Sequence, residues 1–307
     1  MQILIAYDGS AHADAAIDDL RLAGLPPNNE VLVVSVAHGN WPPFDAARVK
    51  LGQFDGPWRA TVECAEVLAE DGKRRVRSKF PAWHVTSQGL WGDPAKTLLK
   101  TIDIWKPELL VVGSHGRSFG GRVLLGSVST ELVHHAPCSV RIVRRITEKA
   151  DGEIRIEVAT DGSDPARACV EYVARRTWPT GTRARVVGVL QSLSPVAAMP
   201  STFEGQAFGT EVASELVEES FERERARLQE AIDGGAKRLG RSGLTVETVM
   251  IDGNPRNEIN MEAERWHADT IFVGARGLGA VDRLLLGSVS GAVVAHAHCA
   301  VEVVRYS

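Results

Sequence analysis

Two strings in this 307-residue chain have the residue types and the spacing to hold an anion. The first is Gly113-Ser114-His115-Gly116, followed after nine residues by Gly126-Ser127. The second is Gly274-Ala275-Arg276-Gly277, followed after nine residues by Gly287-Ser288. Both close on Leu-Leu-Gly-Ser-Val-Ser, from Leu124 to Ser129 and from Leu285 to Ser290. Glycine lets backbone amides approach an anion closely, and a helix start just beyond adds partial positive charge. The chemistry indicated is capture of phosphate groups by two related nucleotide-binding units. His115 and Arg276 occupy equivalent places. Arg276 would bring a permanent charge and several donors, and His115 a charge that titrates near neutrality. Either could equally face solvent. Arg117 could assist the first site, and its counterpart in the second is Leu278. The two sites are therefore expected to differ in affinity or in its pH dependence.

Catalytic signatures are missing around these strings. No GxxxxGK[ST] loop occurs, and no Ser-His-Asp or Cys-His pair sits in a recognisable context. Hydrolysis of a phosphoanhydride needs a residue that positions water or accepts a proton. None is evident in the cradles, so the expectation is binding more than turnover. His115 remains the one candidate acid or base.

The cradles belong to a longer repeat. Asp8-Gly9-Ser10 returns as Asp161-Gly162-Ser163, an offset of 153, and Gly92-Asp93-Pro94 returns as Gly253-Asn254-Pro255, an offset of 161. Eight residues are thus gained between these landmarks. Their expected place is the loop after the second strand, Gly39 to Pro57 in one copy and Gln191 to Glu211 in the other. The units are 1–146 and 153–307, with a polar linker near Ile146 to Gly152.

Within each unit, apolar runs alternate with helical patterns. Strands are expected at Gln2–Tyr7, Val31–Val36, Trp83–Gln88, Leu109–Gly113 and Ser139–Val143. Helices are expected at Ala11–Ala23, Trp58–Lys79, Pro94–Trp105 and Ser127–His135. The second copy reads the same way, with strands near Ile154–Thr160, Ala184–Leu190, Thr245–Ile251, Thr270–Gly274 and Ala300–Val304. Such alternation gives an α/β class: two tandem doubly wound domains, each a five-stranded parallel sheet flanked by helices. Ligands in these folds sit at the carboxyl ends of the strands, where Asp8 and Gly113 would both lie.

The bulk numbers agree with a soluble globular chain: 44% hydrophobic and 24% charged residues, with a net charge of −4. That charge gives no global pull toward nucleic acid. No apolar run is long enough to suggest a membrane span. Cys64, Cys138, Cys169 and Cys299 are scattered without a CxxC pair, which fits a reducing compartment, and the cytoplasm is the expected location. His134, His135 and Cys138, then His296, His298 and Cys299, have spacing that zinc could use. The preferred reading is a helix end followed by a buried cysteine. The Arg- and Glu-rich stretch from Glu218 to Arg227 reads as the solvated face of a long helix.

The G-2x-G-9x-G-S/T spacing after an apolar strand, together with Asp8-Gly9-Ser10 and Gly92-Asp93-Pro94, resembles the ATP-binding universal stress protein family, in two tandem copies. The resemblance implies ATP across the carboxyl edge of each sheet. Asp8 and Asp161 would hold the ribose or the adenine edge, and the backbone at Val36 and Val189 would touch adenine. Gly113, Gly116, Gly126, Ser127 and Ser129 would hold phosphate in the first copy. Gly274, Gly277, Gly287, Ser288 and Ser290 would do so in the second. Val128 and Val289 could lend amides, and Mg2+ would accompany the triphosphate, bound through it. Blander roles remain open: Asp-Gly-Ser favours turns, and Ser127 and Ser288 could be helix N-caps.

The resemblance also implies pairing of final strands, antiparallel, as in the family's dimers. Here the chain could pair with itself as an internal pseudo-dimer, and a further homodimer could add to it. Arg141 would then face Glu302, where opposite charges help and like charges hurt. The functional expectation is a cytoplasmic stress-response ATP sensor or regulator with an unidentified protein partner and one ATP site per repeat. The alternatives are a slow ATPase or nucleotidyl or phosphoryl transferase, and an interaction module whose nucleotide sites are vestigial.

Overall fold

The computed structural model describes residues 1–38, 57–116, 125–144, 153–191, 210–276 and 286–305, with backbone alone for 57–61 and 210–217. Arg117, Gly277 and the linker lie outside the described residues. The first repeat comprises strands β1 Gln2–Ala6, β2 Glu30–Ala37, β3 His84–Trp91, β4 Leu109–Gly113 and β5 Ser139–Val143. Its helices are α1 Ala11–Asp19, α2 Pro57–Lys79, α3 Pro94–Trp105 and α4 Ser127–His135. The second repeat has β6 Arg155–Ala159, β7 Arg183–Leu190, β8 Thr245–Asp252, β9 Thr270–Gly274 and β10 Ala300–Val304. Its helices are α5 Asp164–Ala174, α6 Thr210–Gly240, α7 Pro255–Trp266 and α8 Ser288–His296.

Local chemistry explains the punctuation. Ser10 and Ser163 cap α1 and α5, accepting from the amides of Ala13 and Ala166. Asp93 and Asn254 cap α3 and α7, each followed by proline at the first turn, where no amide is needed. The third strand runs on past Gln88 to Trp91, because β2 supplies partners that far: Val36 faces Leu90 and Ala37 faces Trp91.

Among the described residues all ten strands join one sheet, in the order β3-β2-β1-β4-β5-β10-β9-β6-β7-β8. Every pairing is parallel except β5 with β10. In each repeat the strand order reverses at the first strand, between β1 and β4 and between β6 and β9. That is the topological switch point where such sheets open a crevice.

The antiparallel join sets Glu302 directly opposite Arg141. Both side chains are fully buried. Arg141 donates to Asp19 at 2.7 Å, to Glu302 at 3.0 Å and to the Thr270 hydroxyl at 2.9 Å. The other Glu302 oxygen accepts from Tyr172 at 2.7 Å and from Arg176, which also donates to the Ala23 carbonyl at 2.8 Å. Outside this cluster the join is reciprocal. Arg144 donates to the Ala295 carbonyl at 2.8 Å at the end of α8, and Arg305 to the Val133 carbonyl at 2.7 Å near the end of α4. Each arginine thereby neutralises carbonyls at the negative end of the other repeat's last helix.

One face of the sheet carries a core continuous across both repeats, with Leu4, Leu32, Leu110 and Ile142 of the first packed alongside Ile259, Val273, Val293 and Val301 of the second. The opposite face carries a core for each repeat, around Ile17 and Val76 and around Val173 and Ile232.

The eight extra residues are not in the loop where the sequence suggested. Ala37 to Pro57 and Leu190 to Thr210 are connections of equal length, whereas α6 has 31 residues and α2 has 23, a difference of eight. The second repeat spends its insertion on more than two added helical turns. Pro, Gly and Ser in the segment after the second strand hid this, because loop composition was legible there and helix length was not.

Candidate functional site

Asp8 and Asp161 leave the ends of β1 and β6 into identical turns. The Ser10 and Ser163 amides each donate to the preceding aspartate's Oδ1 at 3.0 Å. Gly9 and Gly162 adopt φ of 72° and 74°, the left-handed region that glycine enters without cost. One carboxylate oxygen thus holds the turn. In the first repeat the other is turned toward the cradle, and a Cβ placed on Gly116 would lie 2.9 Å from Asp8 Oδ2. The turn role and a ligand role are compatible, since they use different oxygens.

Gly113 and Gly274 end β4 and β9. A Cβ at Gly113 would stand 2.8 Å from the His12 carbonyl carbon, and one at Gly274 would stand 3.0 Å from the Pro165 carbonyl oxygen. These glycines let the start of the first helix press against the strand end. Packing therefore requires them independently of any ligand.

Helices α4 and α8 start from glycine caps, Gly126 and Gly287, with no side-chain cap. Ser127 and Ser288 are the first helical residues, not the caps. The amides of Ser127, Val128 and Ser129, and of Ser288, Val289 and Ser290, have no acceptor within their own helix and form its positive end. The Gly126 amide donates to the Ser114 carbonyl at 2.8 Å and the Gly287 amide to the Ala275 carbonyl at 2.7 Å, which ties each helix start to the residue after the preceding strand. Ser129 and Ser290 are buried, and their hydroxyls donate to the carbonyls of Gly113 and Gly274 at 2.7 Å. These hydroxyl protons stitch helix to strand, a different use from the direct phosphate contact that the resemblance implied.

In the second repeat these pieces border a cavity of about 710 Å³. Its size suits a drug-sized or nucleotide-sized ligand, for which pockets of roughly 300–1,000 Å³ are usual. Asp161, Gly274, Arg276, Gly287 and Ser288 line one part, and Ala159, Val187, Val189 and Val273 line an apolar part. Arg276 thus lines the cavity alongside the glycines, and Val189 lies on its apolar side. The sequence reading missed Ser220, Phe221, Glu224 and Leu228 of α6, with Pro255 and Ile259 of α7, which also line it. Arg225 lies over the Phe221 ring at 5.3 Å. The stretch from Glu218 to Arg227 is largely exposed and carries pairs such as Arg223–Glu219 at 2.9 Å, as expected of a solvated helix face. The seven-residue step from Phe221, inside that charged run, to Leu228, just beyond it, was the available signal for an inward stripe.

In the first repeat, Asp8, Gly113, His115, Gly116, Gly126 and Ser127 gather at the equivalent edge. Val36 is buried near the end of β2. The His115 Nδ1 lies 3.0 Å from the Ser114 hydroxyl. The His12 ring is 5.3 Å from that of His115. Burial, with the neighbouring His115, lowers the pKa of His12 below the ordinary imidazole value, and Asp8 opposes this. The corresponding pair in the second repeat is Pro165 and Arg276.

The terminal histidines and cysteines do not converge: among the described residues no group of three or more His, Cys, Asp or Glu side chains could hold a metal ion. Cys138 and Cys299 are buried just before β5 and β10, and burial pushes the Cys138 thiol up to about 11. No helix among the described residues is long and apolar enough to cross a membrane.

Comparison with known proteins places these features in a group. The model of the universal stress protein family matches residues 1–144 and again 155–305. A universal stress protein of Mycolicibacterium smegmatis is 28% identical over 316 aligned positions, spanning 99% of this chain and 96% of that one. Universal stress protein MJ0531 of Methanocaldococcus jannaschii is 32% identical over 151 positions, 49% of this chain and 81% of that one. Among solved structures, a universal stress protein from Archaeoglobus fulgidus DSM 4304 superposes with a TM-score of 0.63 at 21% identity, covering 100% and 98% of the two chains.

Proposed function

The chain belongs to the universal stress protein family, and on that premise we propose that it is a stress-response regulator that holds one adenine nucleotide per repeat, ATP by preference. The observation that carries this is the pair of glycine-capped helix starts facing the aspartate turns across each switch point. Amides of α4 and α8 would receive the phosphates, with Ser127 and Ser288 hydroxyls beside them. Gly116 and Gly277 would leave room for the chain to wrap the anion. Asp8 and Asp161 would take the ribose or adenine edge. Val36 and Val189 would flank the base, with Phe221 closing the second site from α6. Amides and hydroxyls suit phosphate directly, and the one carboxylate per site suits the hydroxyls or amino group of the nucleoside end, for which it is an acceptor. Mg2+ would be carried on the phosphate oxygens, where it would neutralise charge. Arg117 and Arg276 would add fixed charge to their own cradles.

Ligand released from freshly purified protein, identified and counted by mass spectrometry, tests the proposal. Two adenine nucleotides per chain are expected, and none retained or bound on addition would overturn it. Following ADP and AMP after addition of MgATP separates holding from turnover: release over seconds, lost in His115→Ala, would favour the enzyme reading.

The caps allow a sharper test. Aspartate is a preferred N-cap residue, and the backbone at Gly126 and Gly287 is already extended, with φ of −60° and −67°. A Cβ at Gly126 would meet its nearest atom at 3.4 Å, an ordinary contact. At Gly287 it would meet the Ala275 carbonyl oxygen and the Arg276 Cα at 3.3 Å, so that backbone must give slightly. Gly126→Asp should therefore keep or slightly raise Tm and Gly287→Asp should lower it slightly, each setting a carboxylate where phosphate would sit. Each variant should lose one nucleotide per chain, with at least a hundredfold weaker binding at that site by calorimetry. Undiminished binding in both would remove the helix starts from the site.

A further inference from the structure

We infer that His12 is a further phosphate-site residue of the first repeat, forming with His115 an anion clamp that takes up protons as the nucleotide binds. This rests on the nucleotide reading above and concerns how its first site is regulated. His12 is the second residue of α1, and its backbone is pressed against Gly113, where a Cβ would come within 2.8 Å. It therefore stands at the strand end from which the cradle begins. Its ring is 5.3 Å from that of His115, which is carried by the cradle itself. Among the described residues, the charged or titratable groups acting on His12 are His115, from the loop after β4, and Asp8, from the turn after β1.

Partial burial and the neighbouring His115 ring both disfavour a charge on His12, so in the free protein His12 is held toward its neutral form. A polyphosphate between them and the start of α4 reverses the balance, because each proton gained then adds an attractive charge. The reciprocal consequence is that acid tightens nucleotide binding, since linkage acts equally in both directions. The second repeat is built otherwise. Pro165 and Arg276 stand at these positions, one without charge and the other charged throughout the neutral range. One chain would thus hold a proton-sensitive site beside a proton-insensitive one.

The test isolates each site with the cap variants, Gly287→Asp leaving the first and Gly126→Asp the second. MgATP is titrated by calorimetry in two buffers of different ionisation enthalpy at pH 7, and again at pH 6 and pH 8. The nucleotide's own titration is common to both sites, so the difference between them is the readout. The first site should take up more protons than the second. Its affinity should rise by about tenfold more between pH 8 and pH 6, as an average extra uptake of about half a proton per event over that range requires. His12→Ala in the Gly287→Asp background should reduce both the uptake and the pH slope. Equal uptake at the two sites, an unchanged slope in His12→Ala, or binding at the second site only would overturn this inference and leave the nucleotide reading standing. Failure of both sites to bind MgATP would overturn the nucleotide reading itself.

Discussion

Arg141→Met should lower the free energy of unfolding by about 3–5 kcal/mol, the usual cost of removing one partner from a buried ion pair. The reason is the neighbour left behind. Asp19 is 4% exposed and receives two guanidinium contacts from Arg141, at 2.7 and 2.6 Å. Glu302 keeps Arg176 and Tyr172, so its charge stays compensated. Burial, with Glu302 and Asp269, already raises the Asp19 pKa against the opposing pull of Arg141; without Arg141 that opposition is gone, and the carboxyl must be protonated in the fold. A carboxyl with a raised folded pKa contributes stability below about pH 4, and that contribution is lost as pH rises through the folded value. The deficit of Arg141→Met should therefore be small near pH 4 and grow toward pH 8. The double variant Arg141→Met with Asp19→Asn removes both charges and should recover most of the loss. Urea unfolding at pH 4.5 and 7.5 decides this. A pH-independent deficit, or no recovery in the double variant, would show that packing and not charge carries the effect.

Glu157→Leu should act in the opposite direction, raising stability by about 2–4 kcal/mol at pH 7.5. Glu157 lies in the middle of β6 with its side chain fully buried, and neither carboxylate oxygen has a hydrogen-bond partner among the described residues. Burial pushes its pKa well above the ordinary value, Glu262 adds to this, and Arg185 only partly opposes it. The equivalent residue of the first repeat, 153 positions earlier, is Leu4, which packs in the shared core. The apolar residue is thus already accommodated by this fold at the same place. The sign follows from the raised pKa. The wild-type protein should lose about 1.4 kcal/mol per pH unit once pH exceeds the unfolded value near 4.5, up to the folded pKa. Glu157→Gln should remove that slope, and Glu157→Leu should remove it and add apolar burial. A wild-type stability flat from pH 5 to pH 8, or a destabilised Glu157→Leu, would show that Arg185 keeps the carboxylate charged and paired.

These two sites show where sequence reasoning stops. The opposition of Arg141 and Glu302 was legible once the resemblance implied antiparallel pairing of the final strands, with the equivalent positions 141 and 302 opposed; that these two residues sit on the two-fold axis of the join, where alone equivalent positions meet, is the structure's addition. The structure adds that the cluster is asymmetric throughout: Asp19 in one repeat matches Tyr172 in the other, and Ala23 matches Arg176. Glu157 was hidden in plain view. A single acidic residue in an apolar strand could have been facing solvent, pairing with Arg185 or standing unpartnered, and strand periodicity does not choose among these. Likewise the cradle glycines were readable from spacing, whereas His12 was not, because it is 103 residues from His115 in the chain. The lining from α6 stayed unread for a related reason. Its helix is mostly charged and exposed, and only the neighbouring sheet shows which stripe turns inward.

The sequence by itself determined the two repeats, the alternation of strand and helix, the caps, and the glycine spacing at the strand ends. Each of these is set by residues near one another, through hydrogen bonding of the chain to itself, side-chain periodicity and the conformational freedom of glycine. Tertiary structure alone decided that the insertion lengthens α6, that His12 meets His115, and that neither Glu157 carboxylate oxygen meets a hydrogen-bond partner among the described residues. Those outcomes depend on contacts between residues far apart in the chain, where register and packing, not local preference, select which groups touch.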